Sequence, residues 1–137
     1  MSSDYTNTMK KYLLLFIAFT FSYSAFSVTS YTLTMNFENT NRNFIVCFPT
    51  GFTSTPNLPV VFNLHGYGSD ASQQEFYSRM DETADSNHFV VVYPNGIANS
   101  WNSGFQFPYN SSPNDVGFIS KIIDTLSVLY NVNLNRV

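Results

Sequence analysis

The residues best placed to do chemistry are His65-Gly66-Tyr67-Gly68, which directly follow the apolar run Val60-Val61-Phe62-Asn63-Leu64. Glycines after a buried strand let the backbone turn sharply and present N–H groups to a developing oxyanion, as acyl-transfer enzymes require. In such a turn the Tyr67 backbone N–H is the candidate donor, with His65, Gly66 and Gly68 shaping the loop around it. The His65 ring is expected to order the turn rather than to accept a proton. The tetrapeptide alone fits a plain strand-to-helix turn equally well. Trp101, the only tryptophan, lies in a later loop. It either borders the same mouth as a substrate contact or plugs that loop locally.

No other residue offers a nucleophile with its base. The sequence contains no Gly-x-Ser-x-Gly turn, and its only histidines are His65 and His88. His88 precedes an apolar run and reads as a surface or loop residue. Asp70, Asp81 and Asp85 read as solvated helix or loop charges, and Asp115 as a helix-terminal residue. Cys47, the single cysteine, sits in the apolar run Phe44-Ile45-Val46-Cys47-Phe48. It reads as a buried, inert thiol with no base at hand. Neither histidine has a second ligand at usable spacing, so the pattern suggests no metal site, and nothing implies a cofactor.

The elements that must position the turn follow from periodicity. Tyr31 to Phe37 alternates with period two, and Asn43 to Phe48 is a second strand, with Glu38 to Arg42 as a polar turn between them. Together they predict a hairpin. Val60–Leu64 and the β-branched, aromatic run Phe89–Tyr93 predict buried parallel strands. Ser72 to Asn87 has helical spacing through Phe76, Met80 and Ala84, with Tyr77 beside them. A loop of about twenty residues, Pro94 to Pro113, is long enough to suggest function. Asn114 is placed to cap a helix whose apolar face is Phe118, Ile119, Ile122, Ile123, Leu126, Leu129 and Tyr130. Strands alternating with helices imply right-handed crossovers and a parallel sheet. Asn135-Arg136-Val137 reads as the approach to a further strand.

Composition bounds the remaining possibilities. At 137 residues, 44% hydrophobic and 11% charged, with 14 Phe and 9 Tyr, the chain has a globular make-up with room for one domain. A net charge of −3 without a basic stripe argues against nucleic-acid binding. Lys10-Lys11, the apolar run Tyr12–Phe21 and Ala25-Phe26-Ser27 have the form of a signal peptide over 1–27, with Met9 as an alternative start. Cleavage would leave a mature domain of residues 28–137, secreted to the extracellular space or periplasm. An uncleaved Tyr12–Ser27 would instead be a membrane anchor. A lone cysteine leaves an exported fold to rest on its own core.

Several segments, in order, resemble the esterase family that includes poly(3-hydroxybutyrate) depolymerases, feruloyl esterases and acetylxylan esterases. Asn43–Pro49 is similar to the family's second strand, and Leu58–Gly68 to its oxyanion segment. Phe89–Gly96 is similar to the strand and turn that usually end in Pro-Asp-Gly, with Asn95 here for Asp. Trp101-Asn102 falls where the family has a similar pair. Asn114–Ile119 is similar to its Asp-Asp-Val-Gly-Phe block, again with Asn first. Tyr130–Val137 is similar to the approach to the nucleophile strand.

The resemblance spans Tyr31 to Val137. It implies an α/β fold, the N-terminal part of an α/β-hydrolase sheet: a leading hairpin, then parallel strands with crossover helices, cut before the nucleophile elbow. The implied activity is that of a secreted serine esterase on polyester, feruloyl or acetyl esters, without a cofactor. Its catalytic Ser, Asp and His would follow Val137, leaving the chain itself inactive. The alternative is a non-catalytic exported protein that binds carbohydrate or aromatics, using Trp101 and Tyr109. Asn110-Ser111-Ser112 would be a glycan acceptor in a eukaryote.

Overall fold

The computed structural model describes residues 28–53, 57–104 and 112–137. The predicted signal segment 1–27, Tyr109 and Asn110-Ser111 lie outside the described residues. Among those described, no helix is long and apolar enough to cross a membrane.

A four-stranded mixed sheet forms the frame. Strands β1 (Thr29–Phe37) and β2 (Thr40–Phe48) make an antiparallel hairpin, and β3 (Val60–Phe62) and β4 (Val90–Pro94) are parallel neighbours. The spatial order is β1-β2-β4-β3, with β2 antiparallel to β4. The predicted parallel pair is therefore present, although β3 ends at Phe62 and leaves Leu64 in the following loop. Past the last helix the chain returns beside β3. Asn133 N–H donates to Leu58 O at 2.8 Å, and Val60 N–H donates to Arg136 O at 2.9 Å. This is the start of pairing expected for residues 135–137.

The hairpin turn is tighter than the five-residue turn predicted. Phe37 pairs with Thr40, and Glu38 and Asn39 take positive φ of 48° and 61°. Two residues in that conformation match the right-handed twist of the flanking strands, which favours the short loop. β2 consequently begins before Asn43 and carries Arg42 into the buried interior.

Strict alternation along β2 and β4 divides the core between the two faces. Phe44, Val46, Val90 and Val92 meet Phe118, Ile122 and Leu126 of α3 (Asp115–Tyr130). Ile45, Cys47, Val91 and Tyr93 meet Ala71 of α1 (Ala71–Ser78) and Ala84 of α2 (Met80–Asn87). The predicted single helix over Ser72–Asn87 is thus two. Arg79, at φ 47°, ends α1, and its N–H bonds Glu75 O. The break rotates the second half, so Phe76 and Tyr77 face solvent and Ala84 faces the sheet. α3 matches its predicted span, and Asn114 Oδ1 accepts from Gly117 N–H at 2.9 Å as its cap. Its buried stripe is narrower than predicted, with Leu129 exposed.

Truncating a core ring and a solvent ring should separate these faces. Phe118→Ala should cost about 3–5 kcal/mol, whereas Phe76→Ala should stay within about 0.5 kcal/mol, both measured by urea unfolding. Equal losses would contradict the packing described.

Candidate active site

The His65–Gly68 turn stands at the carboxyl end of the parallel pair, where loops of open α/β sheets build ligand sites. The last ladder bond runs from Asn63 N–H to Val92 O at 2.8 Å. Beyond it, His65 is buried, only 3% exposed. A polar ring at that depth needs partners at both nitrogens, and it has them. Gly96 N–H donates to Nε2 at 3.0 Å, and Nδ1 lies 2.8 Å from Gly66 O. A backbone N–H can only donate, so Nε2 is the acceptor. The proton therefore sits on Nδ1, which donates to Gly66 O.

That contact decides where Tyr67 N–H points. Gly66 O also accepts from Ser69 N–H at 3.1 Å, so the 66–67 peptide has its carbonyl tied inward. All described peptides are trans, and a trans peptide directs C=O and N–H in opposite senses. Tyr67 N–H consequently faces away from the loop and has no hydrogen-bond partner among the described residues. The Tyr67 ring is 80% exposed. There is open space beside the turn's glycines, since a Cβ added to Gly66 or Gly68 would meet nothing within 4 Å. Gly68, at φ +77°, closes the turn in a conformation that other residues resist. Its N–H donates to Asn99 O at 2.8 Å.

Trp101 bears on the same loop from beneath. Its indole N–H donates to His65 O at 2.9 Å, and the two rings lie 4.9 Å apart. The half-buried ring therefore helps to hold His65 in place. Asn95 joins the turn to α1. Its Oδ1 accepts from Ala71 N–H at 2.7 Å, and its amide donates to Asn43 Oδ1. An amide in place of a carboxylate here gives Asn43 a donor.

The anchor of this network was not visible as a site in the sequence. Arg42 Nη2 lies 2.7 Å from Asp115 Oδ1, with both side chains almost wholly buried. The guanidinium also donates to Asn95 O at 3.0 Å and sits 3.8 Å above the Phe118 ring. Asp115 accepts from Asn102 N–H at 2.6 Å through its other oxygen. Arg42 Nε and Asp115 Oδ1 have no well-angled hydrogen bond, so the close contact between the two side chains is ionic. The turn assignment hid Arg42, although its parity with Phe44, Val46 and Phe48 marks it as inward-facing.

The acidic residues read as solvated are largely structural. Asp70 caps α1 by accepting from Gln73 N–H at 2.8 Å. Asp85 is buried and accepts from Thr50 N–H at 2.5 Å, because the α2 C-terminus packs over the end of β2. Asp81 accepts from Tyr93 OH at 2.7 Å. Asp115, more than a helix terminus, is half of the ion pair. His88 is exposed, as expected.

Cys47 is wholly buried, and its thiol donates to Glu75 Oε1 at 3.3 Å. Burial, reinforced by the Asp81 and Glu75 charges, pushes the thiol far above the usual range, which makes it a poor nucleophile. Burial likewise raises Glu75. Cys47, Glu75 and Asp81 bring ligand-type atoms within 4.8 Å of one another, a grouping that sequence spacing did not reveal.

A sheet in the order β1-β2-β4-β3, with a glycine turn at the carboxyl end of its parallel pair, is the N-terminal part of an α/β-hydrolase sheet. Fold and sequence similarity together place the chain with the α/β-hydrolase esterases. It is 34% identical over 100 residues to the bifunctional acetylxylan esterase/xylanase XynS20E of Neocallimastix patriciarum, covering 73% of this chain and 14% of that protein. It is 29% identical over 100 residues to feruloyl esterase B of Piromyces equi, covering 70% of this chain and 18% of the relative. The chain thus spans under a fifth of the length of these relatives. Among solved structures, it superposes on a ferulic acid esterase of Anaeromyces mucronatus with a TM-score of 0.56 at 18% identity, covering 82% of this chain and 47% of that one. No protein-family model matches the chain.

The raised Glu75 carboxyl gives a pH signature. The folded state holds its proton more tightly than the unfolded chain does, so stability is lost as pH rises through that window. Glu75→Gln should therefore gain stability relative to wild type as pH goes from about 4 to about 7, measured by denaturant unfolding at each pH. A difference that does not change with pH would contradict the raised, half-buried carboxyl.

Proposed function

We propose that this chain supplies the oxyanion half of a secreted serine esterase acting on acetyl or feruloyl esters of plant polysaccharide. The observation that carries the proposal is the outward, unpartnered Tyr67 N–H, held by a peptide whose carbonyl accepts from His65 and Ser69. A donor fixed before substrate arrives costs no reorganisation when negative charge develops on the carbonyl oxygen. The ester class rests on the similarity to acetylxylan and feruloyl esterases. Export rests on the signal-like residues 1–27.

In this proposal the serine attacks the ester carbonyl, with histidine taking its proton and a carboxylate orienting the histidine. The tetrahedral oxyanion meets Tyr67 N–H and the N–H following the serine. These 137 residues contain no Gly-x-Ser-x-Gly turn, so the three catalytic groups are assigned beyond Val137.

The chain alone should hydrolyse p-nitrophenyl acetate no faster than a matched control protein. Joined to the nucleophile-bearing remainder of a feruloyl esterase, it should turn over that ester. Tyr67→Pro, which removes the N–H, should then lower kcat about 10²–10³-fold with little change in KM. Full activity in the proline variant would remove Tyr67 from the oxyanion site. Binding of xylan fragments without hydrolysis by the joined protein would favour the carbohydrate-binding alternative.

A further inference from the structure

We propose that Arg42 is a positioning residue for the Tyr67 N–H, acting through a continuous line of hydrogen bonds that crosses the fold from β2 to the oxyanion turn. The line begins at Arg42 Nη2, which donates to Asn95 O at 3.0 Å. The same peptide's N–H, that of Gly96, donates to His65 Nε2 at 3.0 Å. His65 Nδ1 donates to Gly66 O at 2.8 Å, and the same peptide's N–H is that of Tyr67.

Every unit in the line accepts at one end and donates at the other. Accepting a bond at a peptide carbonyl or an imidazole nitrogen withdraws electrons and strengthens the donor at the opposite end, so such chains polarise cooperatively. A fixed cation at the head aligns the intervening dipoles, each with its positive end toward Tyr67. The line also orients as it polarises. With Asn95 O held, the 95–96 peptide plane is set, and with it the approach of Gly96 N–H to the ring. Gly96 backs closely onto Ser100, since a Cβ there would fall 2.1 Å from Ser100 O.

Arg42 is suited to the head of the line. It cannot lose its charge, it is only 4% exposed, and it is held by Asp115 and the Phe118 ring. Trp101 holds a different peptide, the one whose carbonyl is His65 O, so it supports the loop without lying on the line. The catalytic meaning of the line rests on the esterase reading, whereas its existence does not.

Nitrogen-15 NMR of the labelled chain tests it without any hydrolysis readout. In wild type, His65 should show a single neutral tautomer with its proton on Nδ1. Arg42→Met should abolish that single-tautomer pattern and move the Tyr67 amide proton upfield, with core methyl signals confirming a folded chain. Arg42→Lys, which keeps a charged donor, should restore both signals at least in part. Trp101→Phe should leave the tautomer unchanged.

The proposal is overturned if wild-type His65 carries its proton on Nε2, a result that needs no variant to fold. It is equally overturned if folded Arg42→Met leaves the His65 and Tyr67 signals where they were. Failure of the esterase reading would appear only in the hydrolysis assay, so the two results are separable.

Discussion

The buried ion pair between Arg42 and Asp115 is the interaction on which the rest of this structure depends. It joins the second strand to the first turn of α3, at a point where both charges have left water. Such a pair is poor evidence for stability in itself, since the desolvation of both ions offsets most of their attraction. Its value lies in what it connects. Through Asn95 O the guanidinium reaches the turn after β4, and through Asn102 N–H the carboxylate reaches the Trp101 loop. Both segments in turn hold His65. Removing one partner would leave an unpaired charge in the core and loosen three loops together.

Around that anchor, the turn after β3 is held by hydrogen bonds to His65, Gly66 and Gly68. Its histidine is confined to one tautomer by an N–H donor on one side and a carbonyl on the other. Its central peptide has two donors on its carbonyl. The other end of that peptide, Tyr67 N–H, has no partner among the described residues. A donor left unpartnered on a peptide whose carbonyl is held twice is suited to receiving a transient negative oxygen. The thiol of Cys47 has the opposite surroundings. Desolvation and two neighbouring carboxylates hold its proton in place.

The parts legible in the sequence were those written in local periodicity. Alternation in Phe44–Phe48 and the unbroken run Phe89–Tyr93 placed the two central strands, and the spacing from Phe118 to Leu126 with the Asn114 cap placed α3. The motif order led to the fold and to His65 as an ordering residue. Tertiary choices were not written there. Nothing local shows that Arg79 adopts a left-handed conformation, so Phe76 was placed in one helix with Met80 and Ala84, whereas two helices form and Phe76 is exposed. Arg42 was taken for a turn residue because ENTNR is polar throughout, while the hairpin closes at Glu38-Asn39 alone. Asp81, Asp85 and Asp115 were read as solvated or terminal because their partners, Tyr93, Thr50 and Arg42, are distant in sequence or hidden by that misplaced turn.

The central claim is that Tyr67 N–H is set in advance to receive an oxyanion. Its most direct test is a crystal structure of this chain joined to a nucleophile-bearing esterase half, with a phosphonate bound covalently to the serine as a mimic of the tetrahedral intermediate. The account predicts a phosphonyl oxygen about 2.7–3.1 Å from Tyr67 N, with the Gly66 carbonyl still held by His65 and Ser69. A phosphonyl oxygen bound by other donors, with Tyr67 N–H left facing solvent, would contradict it.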